Sequence, residues 1–216
     1  MKLLTIYDTL DNGLTYNGSF LPEKYGLPRY NSFFDFHLKH FNIVNRMIYT
    51  NTYIKRLWEQ WHFLKNEPIG TSAEDIMHHL RWQQVLINDR FTQADFISNL
   101  RKIVDDCLSL FSVVTNLYHK EKGTPIESIG EYKCITDSDE NSSFLSNLNN
   151  VSNAFKHSIL GESMPRIGLE EPCIFIVHLQ ANRKKQITID DRGFTLNYFV
   201  NEFNNFYKRF DEKLKK

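Results

Sequence analysis

Apolar residues recur every three or four positions through most of this 216-residue chain, and this interval restricts its fold more than any other feature. It matches the 3.6-residue turn of an α-helix, so such residues share one helical face. The longest stripe comprises Phe36, Phe41, Val44, Met47, Ile48, Ile54, Trp58, Trp61 and Leu64. The next comprises Phe96, Leu100, Val104, Cys107, Leu108, Phe111, Val114 and Tyr118. Because Gly (9) and Pro (6) are also scarce, a mainly α fold is expected rather than a disordered or turn-rich all-β chain.

Capping patterns and turn formers divide this helical region into four predicted helices. Thr71 and Glu74 form a capping-box pattern, and Thr92 with Asp95 forms a similar start signal, because side-chain oxygens satisfy the first free amides of a helix. The predicted helices run from Ser32 to Glu67, from Thr71 to about Asn88, from Thr92 to about Gly123, and from about Ser143 to Leu160. Residues 124–142 are predicted as an exposed polar loop, and the four helices as an up-and-down bundle over residues 31–160.

The periodicity changes after residue 172. Cys173–Gln180 and Gln186–Asp190 are typical of two strands, with a hairpin turn at Asn182–Lys184. Such a ribbon must pack on the helices or pair with an N-terminal strand, since two strands alone are marginally stable. A final amphipathic helix is predicted from Leu196, Phe199, Phe203, Phe206, Phe210 and Leu214. The chain is thus predicted as one domain over 1–216: an extended arm (1–30), the bundle (31–160), a β-hairpin (172–191) and a C-terminal helix (195–216).

Charge and cysteine content limit the classes of function. The 26 basic residues balance 26 acidic ones, so bulk electrostatic attraction to nucleic acid is not expected, and RNA binding would need a local basic patch. Three scattered cysteines favour a reducing compartment over a disulfide framework or a zinc site. The chain contains no apolar window long enough to span a membrane, and its first residues do not resemble a signal peptide. A cytoplasmic protein is expected.

The fourth predicted helix carries the one polar face suited to chemistry. Asn153 and His157 lie four residues apart and therefore share a helical face, which Ser146, Asn149 and Asn150 extend toward the start of the helix. Two interpretations are open. The face is either an ordinary solvated surface, or a site where His157 acts as a general acid or base while the Asn153 amide orients its ring.

This segment resembles the HEPN superfamily, a group of helical-bundle proteins found among bacterial toxins, defence proteins and nucleotide-linked regulators. Many members carry an Arg-Asn-x-x-x-His segment on a late bundle helix, and Asn153 and His157 stand at the matching interval. The helix predicted over 93–121 resembles the family's preceding helix. The resemblance covers residues 92–160 and implies a helical bundle, a homodimer and a bacterial defence or toxin–antitoxin-like setting.

The chain departs from the family pattern at one position. Ser152 stands where the family has Arg, whose role there is to contact phosphate or stabilise developing charge. Lys156 projects about 100° away from His157 around the helix, so it is a poor substitute. Arg101 or Arg166 could supply the cation only if the fold brought it close. The resemblance therefore implies a non-catalytic binding or regulatory protein; the alternative is a metal-independent endoribonuclease that uses His157 as general acid or base.

Asp105 and Asp106, in the third predicted helix, also have two interpretations. Arg101 precedes Asp105 by four residues, so an exposed ion pair along the helix explains this feature. Alternatively, Asp106 faces the fourth helix and holds His157 or Lys156, which would raise the pKa of His157.

No metal ion and no cofactor are expected. A di-iron bundle needs two Glu-x-x-His segments with further inward Glu residues, and the chain lacks them in that form. His37 and His40 share a helix face, whereas the adjacent His78 and His79 point apart and cannot easily chelate one ion.

Basic residues cluster at Arg183–Lys185, His119–Lys122 and Lys213–Lys216. These clusters either serve solubility or together form a patch for an RNA backbone; a homodimer, a protein partner and RNA are the partners considered.

Overall fold

The computed structural model describes residues 13–15, 33–67, 76–117, 140–157, 170–181 and 187–214. Within these ranges the elements are α1 (Phe33–Asn66), α2 (Ile76–Leu117), α3 (Glu140–His157), β1 (Cys173–Ala181), β2 (Ile187–Thr195) and α4 (Leu196–Leu214). The predicted fold class is confirmed: the protein is mainly α-helical, with one small β-hairpin and a final helix. Outside the described residues lie Ser32, Thr71, the stop at Gly123–Pro125 and the turn at Asn182–Lys184.

The two longest helices, α1 and α2, form an antiparallel pair. Lys39 near the start of α1 donates a hydrogen bond to Ser109 late in α2, at 2.5 Å. Toward the other end, Gln60 donates to Thr92 at 3.3 Å. The predicted apolar stripe of α1 supplies buried residues along this contact, among them Met47, Ile54 and Leu64.

The predicted helix boundary at residues 88–92 is wrong, because α2 continues unbroken from Ile76 to Leu117. Thr92 does not cap a new helix. Its hydroxyl donates to the carbonyl oxygen of Asn88 at 2.7 Å, the bond that threonine makes to the preceding turn inside a helix. Thr92 is also buried against α1. Packing across the helix pair therefore outweighs the local start signal.

The core of the molecule contains side chains from all four helices. The largest buried side chains come mainly from α4, whose Phe199, Phe203, Phe206 and Phe210 are at most 1% exposed. Phe199 contacts Phe96 of α2 edge-on, with ring centroids 6.5 Å apart. The apolar stripe predicted for the C-terminal helix is thus the face that packs into the bundle.

The strands β1 and β2 pair antiparallel from Cys173 opposite Thr195 to Ala181 opposite Ile187. Ile174 and Ile176 of β1 are buried in the helical core, so the ribbon packs on the helices, which was one of the two expected arrangements. β2 is longer than predicted and runs directly into α4. Among the described residues the sheet has two strands, and no N-terminal strand joins it.

Residues 13–15 of the predicted arm are held between α1 and α4. The buried Asn51 side chain of α1 accepts from the Leu14 amide at 2.7 Å and donates to the Leu14 carbonyl at 3.2 Å. Asn204 of α4 does the same from the other side, accepting from Thr15 N–H at 2.9 Å and donating to the Gly13 carbonyl at 3.1 Å. Two amide side chains therefore satisfy this extended backbone as a neighbouring strand would.

No helix within the described ranges has a stretch long and apolar enough to cross a membrane.

Candidate functional site

The polar face predicted on the fourth helix is a face of α3. Asn153 is half-buried one turn before the end of the helix, and His157 is its last residue. The backbone of His157 is helical, while its side chain lies outside the described part of the structure. Val151 and Ala154, on the other side of α3, are buried in the core and fix the helix against its neighbours.

The cation at this face comes from α2. Arg101 Nη1 donates to Asn153 Oδ1 at 2.9 Å and to Ser152 Oγ at 3.3 Å. Its Nε also lies 3.9 Å from Asp105 Oδ2, one turn further along α2. The side chains of Arg101 and Asp105 are only 19% and 23% exposed, so these contacts are partly shielded from water. One guanidinium thus connects a carboxylate of α2 with two polar groups of α3.

This contact bears on the departure from the HEPN pattern. Ser152, at the position of the family's Arg, is buried and accepts a hydrogen bond from Arg101. The side chain that contacts Ser152 is therefore an arginine from a different helix. Arg166, the other residue considered for this role, lies outside the described residues.

The remaining accessory residues separate into two environments. The ion pair predicted between Arg101 and Asp105 is confirmed, although it is half-buried rather than exposed. The alternative for Asp106 is wrong: its carboxylate contacts Lys102 at 3.0 Å and Arg46 of α1 at 3.6 Å, so it faces α1 rather than α3. Lys156 is exposed on α3.

A polar groove of about 550 Å³ lies between α1 and α2, on the side of Asp106. The described residues that line it include three cations, Lys39, Arg46 and Lys102, but one carboxylate, that of Asp106. Tyr49 and three asparagines complete the lining. The groove was not predicted, because its residues come from two helices whose pairing no local pattern specifies. We call it the α1–α2 groove.

Among the described residues, no three His, Cys, Asp or Glu side chains are close enough together to hold a metal ion. Within that part of the chain His40 is buried on α1, and His78 lies 6.5 Å from the Phe63 ring, centroid to centroid. The basic clusters at His119–Lys122 and Arg183–Lys185 lie outside the described residues, as do the last two residues of the C-terminal cluster.

Sequence reasoning also missed a stripe of exposed apolar side chains on α2. Ile76, Met77, Leu80, Ile87 and Phe91 are between 53% and 77% exposed. We call these five residues the α2 stripe. The face that they share was not recognised, because a helix boundary was predicted between Ile87 and Phe91. A continuous helix puts all five on one face.

Comparisons of the chain with protein-family models, with curated proteins and with solved structures find no match.

Proposed function

We propose that this chain is a HEPN-like helical protein that binds a partner without turning over a substrate. In this proposal it acts in the cytoplasm as a regulatory module of a bacterial defence or toxin–antitoxin-like system. The resemblance of Asn153 and His157 to the family segment supports the assignment, as does the helical bundle in which that segment lies.

The proposal of a non-catalytic role depends on one observation, which is that the Arg101 side chain already has polar partners within the protein. Its guanidinium already bonds Asn153 and Ser152 and pairs with Asp105. A phosphate would have to compete with these contacts, and a half-buried arginine that lost them would leave polar groups unsatisfied. Asn153 Oδ1 is occupied in the same way, so the segment connects α3 to α2.

The nearness of a cation to this face, rather than its engagement, favours a second candidate, a metal-independent endoribonuclease. Arg101 places a cation 2.9 Å from Asn153, which shares its helical face with His157. In that mechanism His157 would take the proton of the ribose 2′-hydroxyl, whose oxygen would bond to the adjacent phosphorus as the bond to the 5′-oxygen breaks, and the leaving 5′-oxygen would take a proton from water. Asn153 would orient the ring of His157, and Arg101 would stabilise the charge developing on the phosphate. Breaking the Asp105 contact would be required first.

Incubation of the 216-residue protein with single-stranded RNA in EDTA tests the two candidates. The wild type is compared with His157→Ala and Arg101→Ala, and with Lys156→Ala as the matched control on the exposed side of α3. We expect equal, background cleavage from all four proteins. Cleavage by the wild type and Lys156→Ala that is lost in the other two variants would contradict a non-catalytic role and establish the endoribonuclease.

The same mixtures also identify the class of partner. RNA that is retained intact by the wild type would make RNA the ligand of the module. If RNA is neither retained nor cleaved, single-stranded RNA is removed as the ligand of the module.

The proposal includes a homodimer, as the resemblance implies. The α2 stripe supports it, because large exposed apolar patches typically mark interaction surfaces. Sedimentation over a range of concentrations measures the association. We expect the wild type to dimerise and Ile87→Lys to weaken the dimer, whereas Phe41→Lys, exposed on α1 outside the stripe, should behave as the wild type. A monomeric wild type would contradict the homodimer.

A further inference from the structure

The α1–α2 groove carries an excess of positive charge. Lys39, Arg46 and Lys102 face one carboxylate, that of Asp106, among the described residues of its lining. The whole chain is formally neutral, so the groove is a local patch of the kind that binding to a nucleic-acid backbone requires.

The carboxylate of Asp106 neutralises only part of this positive charge. Lys102 Nζ lies 3.0 Å from Asp106 Oδ1, whereas Arg46 Nε lies 3.6 Å from Oδ2, which is too long for a hydrogen bond. The side chains of Lys102 and Arg46 remain 52% and 42% exposed. Lys39 donates to the neutral hydroxyl of Ser109, which does not cancel its charge. A phosphate entering the groove would therefore meet accessible cations.

The uncharged part of the lining suits a nucleotide. Asn42 and Asn45 are exposed on α1 and Asn99 is half-buried on α2, so amide donors and acceptors are present on both walls. Tyr49 is 56% exposed, and its ring rests edge-on against the buried Tyr53 with centroids 5.1 Å apart. An exposed aromatic ring that is held by a neighbouring ring offers a surface on which a base can stack.

We propose that the α1–α2 groove binds single-stranded RNA, with phosphates at Lys39, Arg46 and Lys102 and a base on Tyr49. The inference rests on the proposed binding role and names its ligand and its site. A single strand is favoured because its unstacked bases can reach an aromatic side chain. Asp106 then competes with the phosphates, because its carboxylate contacts Arg46 and Lys102. We call Asp106 the internal competitor. An acidic peptide could use the same cations but would have no use for the exposed ring.

Fluorescence anisotropy of a labelled oligouridine in EDTA at low salt measures the binding. We expect the wild type to bind and Lys102→Gln to bind roughly 5- to 10-fold more weakly, because a charge-assisted contact is lost. Lys55→Gln is the matched control: Lys55 is an exposed lysine on α1, also paired with a carboxylate four residues away, and it lies outside the groove. A wild type that does not bind, or equal weakening by the two changes, would overturn the proposal.

Removal of the internal competitor gives the sharper test. Asp106→Asn is expected to bind the oligouridine roughly 3-fold or more tightly than the wild type, because Arg46 and Lys102 no longer share a carboxylate. Glu59→Gln, which adds the same charge outside the groove, should leave the affinity nearly unchanged. An Asp106 whose role is only to join α1 and α2 predicts no gain, and an affinity equal to that of Glu59→Gln would contradict the inference.

The role of Tyr49 separates RNA from an acidic peptide. Tyr49→Ala is expected to weaken oligouridine binding roughly 5-fold or more, whereas Tyr49→Phe, which keeps the ring, should retain most of it. Polyglutamate, used as a competitor, should displace the oligouridine only weakly. Displacement by polyglutamate at the same charge concentration, with no loss in Tyr49→Ala, would make an acidic peptide the ligand and overturn the proposal.

Folding of each variant is measured by circular dichroism, because Asp106 joins the two helices that form the groove. If Asp106→Asn loses helix content, the binding affinity of Lys102→Gln tests the proposal instead. Lys102 is exposed, so this change removes a surface contact only.

The outcomes separate this inference from the proposed function. A wild type that neither binds nor cleaves RNA removes the groove as an RNA site and leaves the non-catalytic role standing. RNA that is bound with equal affinity by all groove variants also removes the groove and leaves the role standing. Cleavage that is lost in His157→Ala removes the non-catalytic role, while the anisotropy of the groove variants still decides where the RNA binds.

Discussion

At the scale of single residues, Asp89 is a carboxylate in surroundings that disfavour its charge. It is only 6% exposed on α2, and its carboxylate accepts a hydrogen bond from Gln93 at 2.6 Å. Burial raises the pKa of Asp89 to about 6, and the bond from Gln93 only partly opposes this rise. The folded protein therefore holds a proton on Asp89 at pH values where the unfolded chain, with its ordinary pKa of 3.8, has lost it.

This difference makes stability depend on pH. Because the folded-state pKa is the higher one, Asp89 favours folding below about pH 4, and that contribution is lost as the pH rises to about 6 and above. We expect Asp89→Asn to raise the free energy of unfolding by about 2 kcal/mol at pH 7 and to leave it nearly unchanged at pH 4. Chemical denaturation at the two pH values measures this, with the exposed Glu59→Gln as control. A variant that is less stable than the wild type at pH 7 would show that the ionised carboxylate is well accommodated.

The candidate site was predictable only in part at this scale. The spacing of Asn153 and His157 within one helix places them on a common face without any tertiary information. The contact from Arg101 depends on how α2 packs on α3, across 52 residues of sequence, and no local pattern encodes it. The alternative that placed Asp106 against the fourth helix was wrong for the same reason, because its partner Arg46 lies on α1.

At the scale of elements, the continuity of α2 is the main difference from the sequence prediction. Thr92 and Asp95 formed a plausible start signal, but a capping pattern competes with tertiary packing and contributes only about 1 kcal/mol. Burial of Thr92, Gln93 and Phe96 against the rest of the molecule stabilises the uninterrupted helix. The apolar periods of α1, α3, α4 and β1 were predictable and agree with their packing, whereas the turn signals at Gly123–Pro125 and Asn182–Lys184 lie outside the described residues.

A proline substitution at Gln93 distinguishes the two descriptions of α2. If a helix began at the Thr92 cap, residue 93 would be its first position, where proline is favoured. In a continuous helix proline removes a backbone hydrogen bond and clashes with the preceding turn, which costs about 3 kcal/mol. We therefore expect Gln93→Pro to be less stable than Gln93→Ala, which controls for the lost Asp89 contact, by about that amount. Equal stability of the two variants in thermal or urea unfolding would contradict a continuous α2 and support a helix that begins at Thr92.

At the scale of the whole molecule, long-range polar contacts join segments that are far apart in the sequence. Asn51 connects Leu14 to α1, and Asn204 connects the same segment to α4. Composition predicted an extended N-terminal arm but could not say where it lies, because isolated Asn residues in helices carry no local signal for such a contact. The bundle itself was predictable from periodicity, whereas these connections depend on the assembled fold.

The two asparagines should contribute unequally to stability. Asn51 is 2% exposed, so Asn51→Ala leaves the Leu14 amide buried without a partner and is expected to cost about 1–3 kcal/mol. Asn204 is only half-buried, and water can replace its bonds to the backbone. Asn204→Ala is therefore expected to cost less. Urea denaturation of the two variants measures the difference, and an Asn204→Ala variant as unstable as Asn51→Ala would contradict the assignment of burial as the cause.

Arg101 and Asn153 hold α2 and α3 together, which gives the segment resembling the HEPN motif a structural role in the proposed function. A double-mutant cycle of Arg101→Ala and Asn153→Ala on the free energy of unfolding tests it most directly. We expect the two changes to be coupled by about 1–2 kcal/mol, since the pair forms a partly shielded charge-assisted hydrogen bond. The pair Arg101→Ala and Lys156→Ala serves as control and should be additive within about 0.5 kcal/mol. Additivity of Arg101→Ala and Asn153→Ala would contradict the claim.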